Sequence, residues 1–491
     1  MLPPAAKISE RLPQRVAKNS TAVFVGQALS LAANLGVTVL LARHLGQAGF
    51  GLFSYALVFI SFFSMIVDLS VHAILVRELS RQNWSVAELV GNAVFMKAIL
   101  SFVAIALANA VAGMAGYAEP LPKMIMILSF GVLLASKYSG LRMTFEAPFN
   151  ASLKMHIPML CQLIDSILVI VVTFVLTRSG ADLTTLVVGY SLSSLPGLLL
   201  IIVASRREAR WRVALNPRLL RFLLRESFPL WIYFILTTLF NGLDVLFIRE
   251  YHSESAVGLY SAATRLTTPL LFLPHAVSVS LLPLLSRYYE QADAKLSLVF
   301  HLGMKVTMLM ALALAIATTF LAPDIIRLLY SSAYGASAAP LVLLMWSQAF
   351  LFLNFFFANV LTAVNQQRAA SYAAAAMLIT NALANLILIP QFGIVGAAWA
   401  KLVASIGVVV LLFASVGKTF ALRLPQLLPR VAIVGAAFAC GVALLSQTHL
   451  AISLLGAIAI FPLLALLAGV FNKEEIVVLR SMIPSAARQT S

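Results

Sequence analysis

Runs of about 20 apolar residues recur along the whole chain, separated by short polar breaks. A run of that length crosses a hydrocarbon layer of about 30 Å as a helix. Short strands of period-two alternation, the mark of a membrane barrel, are absent from the pattern. The pattern predicts fourteen helices, at approximately 20–42, 49–71, 86–113, 121–141, 156–177, 183–205, 228–248, 256–286, 297–322, 338–364, 369–390, 393–416, 429–447 and 451–471. The connections are short except for 205–228, "SRREARWRVALNPRLLRFLLRESFPL". There Arg218, Arg221 and Arg225 share one helical face, and Leu219, Leu220, Phe222, Leu223 and Leu224 fill much of the rest. This stretch reads either as an interfacial amphipathic helix touching anionic headgroups or as an ordinary basic loop.

One phrase occurs twice. Leu41–Arg81 and Phe247–Arg287 share Gly51-Leu52-Phe53-Ser54 with Gly258-Leu259-Tyr260-Ser261, and Leu79-Ser80-Arg81 with Leu285-Ser286-Arg287. Farther on, Met96-Lys97 matches Met304-Lys305. The offsets of 207, 206 and 208 residues span six predicted helices, which places equivalent helices in the same orientation, so the repeats are expected to be parallel and related by an axis along the membrane normal. The expected organisation is an all-α polytopic protein. A terminus (1–19) precedes a six-helix lobe (20–205), a basic linker (206–227) and a second six-helix lobe (228–416). Two further helices (417–471) and a tail (472–491) follow. Two such lobes predict a rocking, alternating-access transporter with a central cavity.

Composition narrows the class. Of 491 residues 61% are hydrophobic and 11% charged, against about 25% charged in soluble domains. The net charge of +16 is dispersed over loops rather than gathered in one domain, which argues against nucleic-acid binding. With both termini in the cytoplasm, the outer loops hold Arg43, Lys123, Arg178, Arg249 and Arg327, and the inner ones about five times as many cations. Cys161 and Cys440 fall in apolar segments and have no disulfide or metal spacing. There is no phosphate-gripping glycine loop with lysine, and His275 reads as a packing histidine. The outer loops are too short to build a catalytic site, so the reading is a transporter with no cofactor and no metal.

The candidate chemistry lies in charges within the spans. Lys97, Lys137, Arg265, Lys305 and Lys401 stand against Asp68, Asp165 and Asp244. Each ionised group at mid-bilayer costs about 2.5–3.5 kcal/mol on insertion scales. Lys137, near a helix end, can snorkel. Lys97 and Lys305 occupy equivalent places in the two repeats, whereas Arg265 has no counterpart. The surplus of cations suits an anionic substrate, and arginine's planar fork suits phosphate. The candidate substrate ligands are Arg265, Lys97, Lys305, Lys401 and the first helix's central polar residue, Asn34. Asp244, Asp165 and Asp68 are candidates for coupling to H+ or Na+, or for salt bridges to the cations.

"LGQAGFGLFSYALVFISFFSMIVDLSVHAILVRELSR" resembles the opening of bacterial polysaccharide repeat-unit flippases of the Wzx type, in the multidrug/oligosaccharidyl-lipid/polysaccharide exporter superfamily. "DVLFIREYHSESAVGLYSAATRL" is similar to the start of their second lobe, and "LILIPQFGIVGAAWAKLVASIG" to a later helix turn. The resemblance spans roughly residues 18–410. It implies a multi-pass protein of the bacterial inner membrane that turns an oligosaccharide on undecaprenyl diphosphate from the cytoplasmic to the periplasmic leaflet, in company with other polysaccharide-assembly proteins. It also implies an arginine near the diphosphate where Arg265 stands. The cationic first-helix motif of related lipid-precursor flippases is missing here. The competing readings are a drug/cation antiporter of the same superfamily and a membrane polymerase or ligase.

Overall fold

The computed structural model describes residues 12–81, 84–134, 140–213, 215–291, 293, 295–417, 419–420, 424–448, 450–472 and 474–476. Among these residues the secondary structure is helical throughout, without strands. The chain divides into two compact units, residues 1–261 and 262–491.

The N-terminal unit holds α1 (Leu12–Asp68), α2 (Val71–Arg81), α3 (Val86–Met114), α4 (Leu121–Ser129), α5 (Gly131–Leu134) and α6 (Leu141–Ala151). It continues with α7 (His156–Arg178), α8 (Leu183–Leu192), α9 (Leu195–Ala209), α10 (Pro217–Tyr251) and the start of α11 (Glu254–Thr267). Ten described helices are long and apolar enough to cross a membrane, and Leu121–Leu134 and Ile452–Leu467 are shorter apolar helices. Two of the ten, Gly26–Arg81 and Gln367–Val416, run to 56 and 50 residues, more than twice one crossing. Each is broken inside by a glycine, Gly46 (φ 65°, ψ −176°) and Gly393 (φ 57°, ψ −133°). Only glycine adopts such angles without strain, so one residue turns each long apolar run.

α1 packs on α3, α4, α7 and α10. A core at one end of the unit joins Val71, Ile74 and Leu75 of α2 with Leu89 and Val90 of α3, Phe145 and Phe149 of α6, and Leu219 and Leu223 of α10. The outward face of α7 is the reverse. Leu160, Ile164, Ile167, Val171, Phe174 and Val175 are exposed, at helical spacing. In water such a face would be a liability; in hydrocarbon it is the expected surface.

The C-terminal unit contains the end of α11, a 3-10 turn (Thr268–Leu271), α12 (Phe272–Glu290), α13 (Lys295–Leu329), α14 (Ala338–Ala363), α15 (Gln367–Val416), α16 (Leu424–Leu445) and α17 (Leu450–Leu467). The helix expected over 256–286 is bent, as its prolines predict. Pro269 opens the 3-10 turn, and α12 begins at Phe272. α14 packs on both α13 and α15, while α16 and α17 pack on each other and on α13.

Of the helix expected over 121–141, residues 121–134 are described, as α4 and α5, and Lys137 lies outside the described residues. The structure departs from the hydropathy reading in two places. Residues 142–151, left between the helices expected at 121–141 and 156–177, belong to α6. Its Arg142 and Glu146 are turned into the protein. The basic stretch from 217 is not a separate helix on the membrane surface. It forms the first turns of α10, with Leu219 and Leu223 covered by protein.

Candidate functional site

In the N-terminal unit, α1 ends at Asp68 and α3 carries Lys97, and the two meet. Lys97 Nζ lies 3.7 Å from Asp68 Oδ1 and donates to the Gly140 carbonyl at 3.4 Å. Lys97 is wholly buried. A second ion pair joins Arg142 of α6 to Asp165 of α7, with Glu146 3.4 Å from Arg142 Nε. Asp165 also accepts from the Gly197 amide at 3.0 Å. A Cβ at Gly197 would overlap that carboxylate, so the small residue on α9 lets the anion in. Three carboxylates (Asp68, Glu146, Asp165) thus stand with two cations in this buried region. Beside them Asn150 Nδ2 donates to His72 Nε2 at 3.1 Å, which puts the ring proton on Nδ1, facing the Met143 carbonyl at 3.0 Å. That neutral tautomer ties α2 to α6.

Asp244 of α10 is fully buried and accepts from Tyr260 Oη at 2.7 Å. Asn34 is exposed, and its side-chain amide donates to the Ser30 carbonyl at 2.8 Å. In the C-terminal unit, Lys305 of α13 donates to both oxygens of Glu475, at 2.8 and 2.9 Å, and to the Val470 carbonyl at 3.0 Å. The pair borders a cavity of about 250 Å³ lined by Ser297, His301, Arg430, Asn472 and Glu474 among others. Lys401 of α15 is buried, and its carbonyl accepts from Ser347 Oγ at 3.2 Å.

Arg265 stands differently. It is half-buried on α11, and no carboxylate among the described residues lies within ion-pair distance of it. Its guanidinium acts on Tyr330, a buried residue between spans. Burial pushes that phenol well above its ordinary range, and Arg265 pulls it partly back. Tyr330 Oη in turn donates to the Ala262 carbonyl at 3.2 Å.

Of the residues singled out from sequence, then, Lys97 and Asp68 come together. Asp165 takes Arg142 and Lys305 takes Glu475, two partners that sequence reading had placed in a loop and a tail. The four-residue spacing of Arg142 and Glu146 was the signal for α6. Glu475 had no comparable signal.

The second half of α1 and the start of α11 cross with their backbones in contact. A Cβ at Gly51 would overlap the Glu254 carbonyl oxygen, and one at Gly258 would overlap the Gln47 carbonyl oxygen. Gly51 and Gly258 are the repeated glycines of the duplicated phrase, and Gln47 and Glu254 stand at the same offset. Near this crossing Arg249 pairs with Glu254 at 2.9 Å and lies 6.0 Å from the centre of the Tyr55 ring. Tyr55 and Tyr117 share a hydroxyl hydrogen bond of 2.7 Å.

Comparison with known proteins places this architecture. The chain resembles the inward closed conformation of the lipid II flippase MurJ with a TM-score of 0.73 at 18% identity, over 92% of this chain and 99% of that one. Among curated proteins it is 25% identical over 162 residues to a probable low-salt glycan biosynthesis flippase, Agl15, of Haloferax volcanii. It is 26% identical over 168 residues to a probable flippase, AglR, of the same organism. These matches take in 33% and 34% of this chain and 34% and 35% of the relatives, so the chain spans about a third of the length of the curated relatives it matches. The MatE family model matches residues 229–387, and that described as polysaccharide biosynthesis protein matches residues 16–289. With more than half of its length matched in this way, the chain belongs to the polysaccharide biosynthesis protein family, a multi-pass membrane branch of the multidrug/oligosaccharidyl-lipid/polysaccharide exporter superfamily.

Proposed function

We propose that this protein is a flippase for a lipid-linked glycan. In this reading it carries undecaprenyl-diphosphate-linked polysaccharide repeat units from the cytoplasmic to the periplasmic leaflet of a bacterial inner membrane. It does so by alternating access between two parallel lobes, without enzymatic chemistry. The observation that carries the reading is Arg265. Lys97, Arg142 and Lys305 each hold a carboxylate. Arg265 lies in an apolar helix with none among the described residues, so it is available to a mobile anion. A lipid diphosphate supplies two charges and oxygens spaced for a bidentate guanidinium. Lys401 and Asn34 assist in this reading, and Lys97 and Lys305 reach substrate only by exchanging Asp68 and Glu475. The aspartates act first as ion-pair and hydrogen-bond anchors, and coupling to H+ or Na+ through them requires those contacts to open.

The test is a proteoliposome assay that follows a fluorescent lipid-linked oligosaccharide from one leaflet to the other. Arg265→Ala is expected to insert at normal abundance and to slow flipping at least tenfold, with partial recovery in Arg265→Lys, which keeps charge and loses the fork. If Arg265→Ala/Asp244→Ala flips as fast as wild type, Arg265 is structural and the diphosphate assignment fails. Drug/cation antiport, which the MatE match favours, predicts instead proton- or sodium-driven uptake of a cationic dye and no movement of the lipid.

A further inference from the structure

α10 is 35 residues long, about 52 Å at 1.5 Å per residue, whereas one crossing of the hydrocarbon takes about 20 residues. Its continuous apolar part begins near Pro229, so the first three turns, Pro217–Phe228, exceed what one crossing requires. Those first three turns are held rigidly by the rest of the unit. Asn216 caps the helix by accepting from the Arg218 and Leu219 amides at 3.1 and 3.3 Å, and its own amide donates to Asn92 Oδ1 at 2.8 Å. The preceding strand of chain rests on α3 so closely that a Cβ at Gly91 would overlap the Arg212 carbonyl. Leu219, Leu223 and Ser227 are buried, and Phe222 packs against Trp84 with ring centres 5.7 Å apart.

The opposite face is open. Pro217, Leu220, Arg221, Leu224, Arg225 and Phe228 line a shallow groove along it. Leu224 is 46% exposed and Phe228 54%. With Leu220 and the exposed Ile232 they form one ridge at four-residue spacing, running from the surface toward the apolar part of the helix. Arg218, Arg221 and Arg225 lie beside that ridge, exposed. The acids of the flanking sequence are engaged elsewhere: Glu226 with Arg77 at 2.8 Å and Glu208 with Lys154 at 2.7 Å. Among the described residues these three arginines have no ion-paired carboxylate.

We propose that this face is a docking site for an anionic phospholipid of the adjoining leaflet. Arg221 and Arg225, one turn apart, take the phosphate between two guanidinium forks, with Arg218 a turn earlier adding charge. The Leu224–Phe228–Ile232 ridge takes the acyl chain. Both parts of the ligand are needed. A soluble phosphate would leave the ridge bare, and a zwitterionic lipid would leave the arginine charge unmatched. The proposal does not rest on the transport reading.

Native mass spectrometry of the purified full-length protein, titrated with phosphatidylglycerol or phosphatidylcholine of equal chain length, tests it. Wild type is expected to retain phosphatidylglycerol over phosphatidylcholine. Arg221→Gln/Arg225→Gln should lower that retention at least fivefold, while Arg178→Gln, at an exposed arginine of another helix, should leave it unchanged. Leu224→Ser/Phe228→Ser should weaken long-chain phosphatidylglycerol more than the short-chain form. All these positions are exposed, so the thermal midpoint in a zwitterionic detergent should stay at the wild-type value and show that the variants are folded. Undiminished retention by the double-glutamine variant would overturn the proposal. So would retention of a polyprenyl diphosphate but not of phosphatidylglycerol, which would make the face a substrate-capture site.

Discussion

Lys97 carries a full charge into a region with no solvent contact and remains there because Asp68, at the end of a different helix, meets it. Removing one member of such a pair leaves the other buried and uncompensated, at a cost of about 3–5 kcal/mol, whereas removing both is often neutral. Lys97→Met is therefore expected to lower membrane abundance and thermal stability sharply, and Lys97→Met/Asp68→Asn to recover most of the loss. A double variant as unstable as the single one would show that Lys97 has some other dominant partner. Hydropathy flagged both residues as costly and repeat spacing singled out Lys97, and that much was legible from sequence. That they answer each other was not, because the pairing depends on where the end of α1 falls against α3. Arg142 shows the converse. Lying just past the end of an expected span, it reads as a loop cation, yet its guanidinium is buried because the polar face of α6 turns inward, toward Asp165.

Most of the helices were readable from apolar run length alone, since a membrane leaves the backbone no alternative to satisfying its own hydrogen bonds. What run length misses is any helix that puts its polar side against protein, as α6 does, and any place where a surface helix and a spanning helix are one body, as in α10. Breaks are better marked. Gly46 and Gly393 hold backbone angles that cost other residues about 1–3 kcal/mol, and at Gly46 an added Cβ would meet only open space, so conformation rather than crowding selects the glycine there. Gly46→Ala should lower the thermal midpoint through this backbone strain alone. Ala48→Gly, one turn-edge away, should cost about 1 kcal/mol at most. Equal, negligible effects of both substitutions would show that the turn at 46 is not held in the positive-φ conformation.

The basic loops predict which ends of the helices face the cytoplasm, and the structure sharpens how to check it. Ala209 is buried, so a cysteine there would resist a reagent from either side. Arg207, Ser253 and Ser331 are exposed. Cysteines at Ser253 and Ser331 should react with an impermeant thiol reagent in intact cells, and one at Arg207 only after permeabilisation; labelling at 207 in intact cells would reverse the orientation. At this scale the Gly51–Gly258 crossing has a further meaning. Gln47 faces Gly258 as Glu254 faces Gly51, the reciprocity of an isologous contact, in which one surface is its own complement. In a homodimer of half-length chains such a glycine would be encoded once and used on both sides of the axis. Here the gene spells it twice, and the two copies are free to drift, yet each still abuts the carbonyl belonging to the other's neighbourhood. Neither copy can relieve the other. Gly51→Ala and Gly258→Ala should therefore impair the protein to a similar degree, because each added methyl meets a main-chain carbonyl rather than a side chain that could swing aside.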